Sequence, residues 1–119
     1  MAETTPPVAV SSEKDVRIVE FVTSKVIDEL SIVDIGQSLA AIIEERPSPK
    51  LLLDFSRVEH LSSAALGMLI NVNTRIKAKN GQLRLCQIKP QIYEVFLITH
   101  LNKLFYIHPT RQEALASFT

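Results

Sequence analysis

The chain has 119 residues, 46% of them hydrophobic and 22% charged, with 13 basic residues balanced by 13 acidic ones. That length fits one domain built around a single aliphatic core, and the balance of apolar to charged residues excludes an intrinsically disordered chain. Zero net charge and the absence of Trp argue against nucleic acid as the main partner, because neutralising phosphates with Lys and Arg supplies most of that affinity.

Residues 1–7 are polar and end in two prolines; they are expected to form a flexible N-terminus ahead of a domain covering 8–119. Val8–Ser12 and Val16–Phe21 carry apolar residues at alternate positions. With Glu13 and Lys14 between them, they predict an antiparallel pair of strands. A first helix is expected from Ser31, since Asp34 follows at the spacing of a capping box. Ile32, Ile35, Leu39, Ile42 and Ile43 then fall on one face, and Pro47 and Pro49 stop the helix. Lys50–Asp54 is a short apolar run of the kind covered on both faces. A second helix follows from Ser63 to Lys79, with Ala65, Leu66, Leu69, Ile70, Asn73 and Ile76 on one side. Asn80-Gly81 ends it with residues that tolerate left-handed geometry.

Gln82–Cys86 predicts the next strand, and Pro90 suits the first turn of a third helix, where its missing N–H costs nothing. That helix points Ile92, Val95 and Phe96 inward. Tyr93 and Leu97 lie on another side, to be covered either by the terminal helix or by a second subunit, so a homo-oligomer stays open. Leu104–Ile107 predicts a last strand. Thr110 with Glu113 forms another capping box, opening a terminal helix that buries Leu115 and Phe118. Strands alternating with helices imply an α/β fold with right-handed parallel crossovers. The expectation is a mixed, mostly parallel sheet of four to five strands with about four helices.

Most chemistry lacks its residues. Cys86, the only cysteine, sits in an apolar alternation and reads as a small buried hydrophobe, with no disulfide framework or thiolate cluster. His60, His100 and His108 show no ligand spacing, so no metal is implied. The glycines Gly36, Gly67 and Gly81 build neither a P-loop nor a dinucleotide fingerprint, so no cofactor is implied. The longest apolar run, Ala64–Ile70, falls far short of the roughly 18 residues of a membrane span. The first residues carry no signal-peptide pattern, and a cytoplasmic location without membrane attachment is expected. Ser62 and Ser63 near His60 suggest a nucleophile elbow, but the glycines of G-x-S-x-G are replaced by Leu61 and Ala65; a small serine hydrolase remains an alternative.

The segment Asp54 to Gly67 carries the most information. A strand ends at Asp54, a loop follows, and a helix opens at Ser62-Ser63. Ser62 is expected to be the N-cap. Ser63 is then the first helical residue, its hydroxyl beside free N–H groups and the positive end of the macrodipole, where an added phosphate is tolerated.

Leu52-Leu53-Asp54 followed by Ser62-Ser63-Ala64-Ala65-Leu66-Gly67 resembles the STAS domain of the anti-sigma factor antagonists, whose pattern is an apolar strand ending in Asp and an Asp-Ser-Ser/Thr-Gly-Leu-Gly-like turn opening a helix. Asn80–Cys86 and Leu101–Ile107 are also similar to that family, and the order of elements matches over residues 8 to 118. The resemblance implies a STAS-like domain that is not an enzyme. It would bind an anti-sigma factor that is also a serine kinase, be phosphorylated at Ser63, and be reset by a serine phosphatase. Partner contacts are expected at Ser62, Ser63, Ala64, Ala65 and Met68. Two residues depart from the pattern: Ser62 replaces the family's Asp, and Ala65 replaces its Gly, adding a methyl group where a kinase would approach. A scaffold or interaction module that is not phosphorylated is the alternative within the family.

Overall fold

The computed structural model describes residues 8–22, 25–26 and 29–118; the expected flexible segment 1–7 lies outside them. Strands β1 (Val8–Glu13) and β2 (Val16–Phe21) pair antiparallel, with Glu13 opposite Val16. The expected hairpin is present, but Glu13 belongs to the strand and the turn falls at Lys14 and Asp15, where Lys14 takes a positive φ of 56°. Strand β3 (Lys25–Val26) leads to helix α1 (Glu29–Glu44). Ser31 is therefore already inside the first turn of α1 and is not its N-cap, because the helix begins before the Ser31–Asp34 spacing. Strand β4 (Lys50–Asp54) and the short β5 (His60–Leu61) precede helix α2 (Ser63–Ala78). Next come β6 (Gln82–Cys86) and α3 (Pro90–Ile98), with Pro90 in the first turn as expected. A single 3₁₀ turn (Leu101–Lys103), β7 (Tyr106–His108) and α4 (Arg111–Ala116) complete the described chain.

The main sheet runs β1-β2-β4-β6-β7, and every pair after β1-β2 is parallel, so α1, α2 and α3 are its crossovers. Apolar residues of these three helices (Ile35 and Leu39, Leu69 and Ile76, Ile92 and Phe96) pack with Val19, Leu51, Leu53 and Leu85 in one cluster. Helix α4 covers the other face, where Ala114 meets Val16, Ile18, Leu52 and Cys86. Alternation along β4 thus sends Leu51 and Leu53 to one core and Leu52 to the other, which is why this strand reads as continuously apolar. A separate parallel pair, β3 with β5, joins two residues of each strand and gave no periodic signal in the sequence.

Helix α2 ends as its last residues dictate. Asn80 takes φ 57°, the Asn80 N–H donates to the Lys77 carbonyl at 3.0 Å, and the Gly81 N–H donates to the Ile76 carbonyl at 2.8 Å, closing a Schellman motif. Gly81 is needed for space rather than for its φ, since a Cβ there would run into the Pro49 carbonyl. One side chain of α2 differs from expectation, and the terminal helix is not the cover of Tyr93 and Leu97. Ile70 is exposed while Val72 is buried, because the inward stripe of α2 is centred on Leu69, Val72 and Ile76. Tyr93 and Leu97 are exposed, together with Ile98, because α4 packs on the opposite sheet face and does not reach them.

Candidate functional site

The site is the start of α2 and the loop that delivers it. Ser62 has extended backbone (φ −87°, ψ 166°), and its Oγ accepts a hydrogen bond from the Ala65 N–H at 3.1 Å. The Leu66 N–H donates to the Ser62 carbonyl at 3.1 Å, the first bond of the helical ladder. Ser62 is thus a full N-cap, and the cap's work is finished before Ser63. Ser63 and Ala64 are exposed, and their amides stand at the end of a helix whose first turn holds no acidic side chain.

Of the residues expected to form the contact surface, Ser63 and Ala64 are exposed, and Ser62 and Met68 are half-buried. Ala65 is fully buried: its methyl group points into the core, so it adds nothing to the face a kinase would approach. Exposure continues to Gly67, where a Cβ would meet nothing within 4 Å. Met68 reaches across to α1 and helps to line a groove of about 310 Å³ between α1 and α2, with Val33, Gly36 and Arg75. Among the described residues, neither Ser62 nor Ser63 is hydrogen-bonded to a histidine, and the Ser62 hydroxyl is committed to its cap.

The loop before the helix is anchored at its start and middle. Phe55 and Val58 are completely buried, with the Phe55 ring 4.9 Å from that of Phe21 and 6.4 Å from that of Phe96. Asp54, at the end of β4, is only 2% exposed. Its Oδ2 accepts from Arg111 Nη2 at 2.6 Å and Nε at 3.0 Å, and its Oδ1 accepts from the Ser56 N–H at 2.8 Å. Glu20 stands beside Asp54 in the β2–β4 register and meets Arg57 of the loop at 3.3 Å. The carboxylate of Asp54 holds the Arg111 guanidinium above its ordinary pKa, chiefly through their hydrogen bond. Cys86 follows Asp54 in the same row of the sheet, and burial, reinforced by the Asp54 charge, pushes its thiol up to about 12. A thiol so held stays protonated and is no nucleophile. The sequence marked Asp54 as a strand end but gave no sign of Arg111 as its partner. The available clue was a carboxylate closing an apolar run, which demands a cation.

A five-stranded mixed sheet with three crossover helices on one face and a short fourth on the other is the architecture of the STAS class of α/β domains. Residues 9–114 match the STAS domain family, and the chain belongs to that family. A curated relative, the putative anti-sigma factor antagonist BtrV of Bordetella bronchiseptica, is 29% identical over 93 residues, covering 78% of this chain and 79% of BtrV. An anti-sigma-factor antagonist (STAS) domain protein from Planctomyces limnophilus superposes with a TM-score of 0.86 at 26% identity, covering 98% of this chain and 100% of that one. The Bacillus cell fate determinant SpoIIAA in its phosphorylated form shares the fold, with a TM-score of 0.68 at 15% identity over 92% of this chain and 96% of SpoIIAA. Among the described residues no helix is long and apolar enough to cross a membrane. Nor do three or more His, Cys, Asp or Glu side chains gather to hold a metal.

Proposed function

We propose that this protein is an anti-sigma factor antagonist of the cytoplasm. It binds an anti-sigma factor with serine-kinase activity through the start of α2 and is switched by phosphorylation of Ser63. The observation that carries this reading is the division of labour between two adjacent serines: Ser62 caps the helix, leaving the exposed Ser63 hydroxyl with no structural duty. A phosphate on Ser63 brings about −1.5 to −2 charges to the positive end of the helix, where it is accommodated by the fold while altering the surface a partner meets. The antagonist names of BtrV and the Planctomyces domain support the partner class, and SpoIIAA in its phosphorylated form supports the mode of control. A serine phosphatase would return the protein to its binding state.

Incubation with the cognate anti-sigma kinase and ATP is expected to add one phosphate, mapped to Ser63 by peptide mass spectrometry and lost in Ser63→Ala. Modification at another residue, or none with an active kinase, refutes the assignment. A second reading, a STAS module that binds without phosphorylation, is favoured by the exposure of Tyr93, Leu97 and Ile98 along α3. Under it, Leu97→Glu would weaken partner binding and Ser63→Asp would leave it unchanged.

A further inference from the structure

Helix α4 lies on the face of the sheet opposite α2, yet its first residue reaches Asp54, the last residue of β4, where the loop that delivers Ser63 begins. The link is a single carboxylate with two jobs. Asp54 Oδ2 accepts both Arg111 bonds, while Asp54 Oδ1 accepts the Ser56 N–H and so shapes the first bend of the loop. Beside it, Glu20 meets Arg57 at 3.3 Å with one oxygen, and Arg111 Nη2 at 3.7 Å with the other. Arg111 is thus the cation that reaches both carboxylates, and one of them is buried. Without it, Asp54 would be a buried charge with no counter-charge among the described residues, and the carboxylate would have to turn or take up water, releasing Ser56.

Beyond its buried anchors Phe55 and Val58, the loop depends on such ties. Ser56, Arg57, Glu59 and His60 are exposed, and β5 pairs through only two residues, an arrangement with little stability of its own. We infer that Arg111 is a positioning residue of the docking surface: through Asp54 it fixes the loop from Phe55 to Leu61, and with it the Ser62–Ser63 helix start. The last helix, on the far side of the sheet, thereby sets how Ser63 is presented. The purpose of that surface rests on the function proposed above; the positioning itself is a property of the free protein.

Amide hydrogen exchange on the free protein tests this. In Arg111→Met the Ser56 and Val58 amides are expected to exchange about tenfold faster, beyond any change at Leu52 and Leu53 of β4, because a charge-assisted bond is lost. Arg111→Lys, which keeps the charge but not the two-pronged contact, should recover part of the protection. Ala114→Gly serves as the control: it loosens α4 against the sheet without touching the ion pair, and should alter Ser56 and Val58 no more than it alters β4. Unchanged loop exchange in Arg111→Met, or an equal loss in Ala114→Gly, overturns the inference. Where the wild type is phosphorylated, Arg111→Met should slow Ser63 modification several-fold, and an unchanged rate overturns the link to presentation. A wild type that no kinase modifies would sink the proposed function instead, and the exchange pattern would still decide this inference.

Discussion

Replacing Ser62 by alanine removes one hydrogen bond, the 3.1 Å contact from the Ala65 N–H to the Ser62 Oγ. Ala65 is fully buried, so water is poorly placed to take over that N–H, and the loss should fall in the upper half of the range for N-caps, about 1–2 kcal/mol. Unfolding entropy near the melting temperature is about 2 cal/mol/K per residue, so for a chain of this length each kcal/mol shifts Tm by about 4 °C. Ser62→Ala should therefore melt about 4–8 °C lower than the wild type. Ser63→Ala removes an exposed hydroxyl with no described partner, and Tm should stay within about 2 °C. Ser63→Asp places a negative charge in a first turn that has none and should raise Tm by about 1–4 °C, a gain that shrinks as salt is added. Differential scanning calorimetry at low and high salt reads all three. The chemical result should run the opposite way, with kinase modification retained in Ser62→Ala and lost in Ser63→Ala. If Ser63→Ala proved as destabilising as Ser62→Ala, the cap would reside on Ser63, and the division of labour behind the proposed switch would be wrong.

Gly67→Ala should stabilise the protein by about 0.5–1 kcal/mol, raising Tm by about 2–4 °C, because the new methyl group meets no neighbour and glycine is a poor helix former. A lower Tm would show that the exposed face of α2 is more crowded than the structure indicates. Cys86 should resist a disulfide reagent such as Ellman's in the native state near neutral pH and react fully only in denaturant; rapid native labelling would contradict its burial. Its folded-state pKa of about 12 lies above the ordinary thiol value near 9, so the neutral thiol contributes stability that is intact below pH 9 and lost as pH rises toward 12. The slope it adds is at most about 1.4 kcal/mol per pH unit, seen as a steeper alkaline fall of the urea midpoint in the wild type than in Cys86→Ala. Parallel curves would refute the assignment.

Much of this protein is written locally. The caps at Ser62 and Thr110 are contacts between residues three apart, Pro90 suits any first helical turn, and the Leu51-Leu52-Leu53 run forecasts a strand with cores on both sides. These features need only the chain's own periodicity and short-range hydrogen bonds, so the sequence by itself determined the order of the main-sheet strands and the helices, and the helix start that bears Ser63, but not the short β3–β5 pair. What it could not determine depends on where the crossovers carry distant segments. Arg111 finds Asp54 across 57 positions, and only the placement of α4 on the second face of the sheet brings them together. That same placement leaves Tyr93 and Leu97 uncovered. The sequence put Ala65 both on the apolar side of α2 and among the partner contacts, and the packing of α2 against the sheet decided for the core. The serine that could carry the switch is legible in the chain; the buried ion pair that holds it in position is a product of the fold.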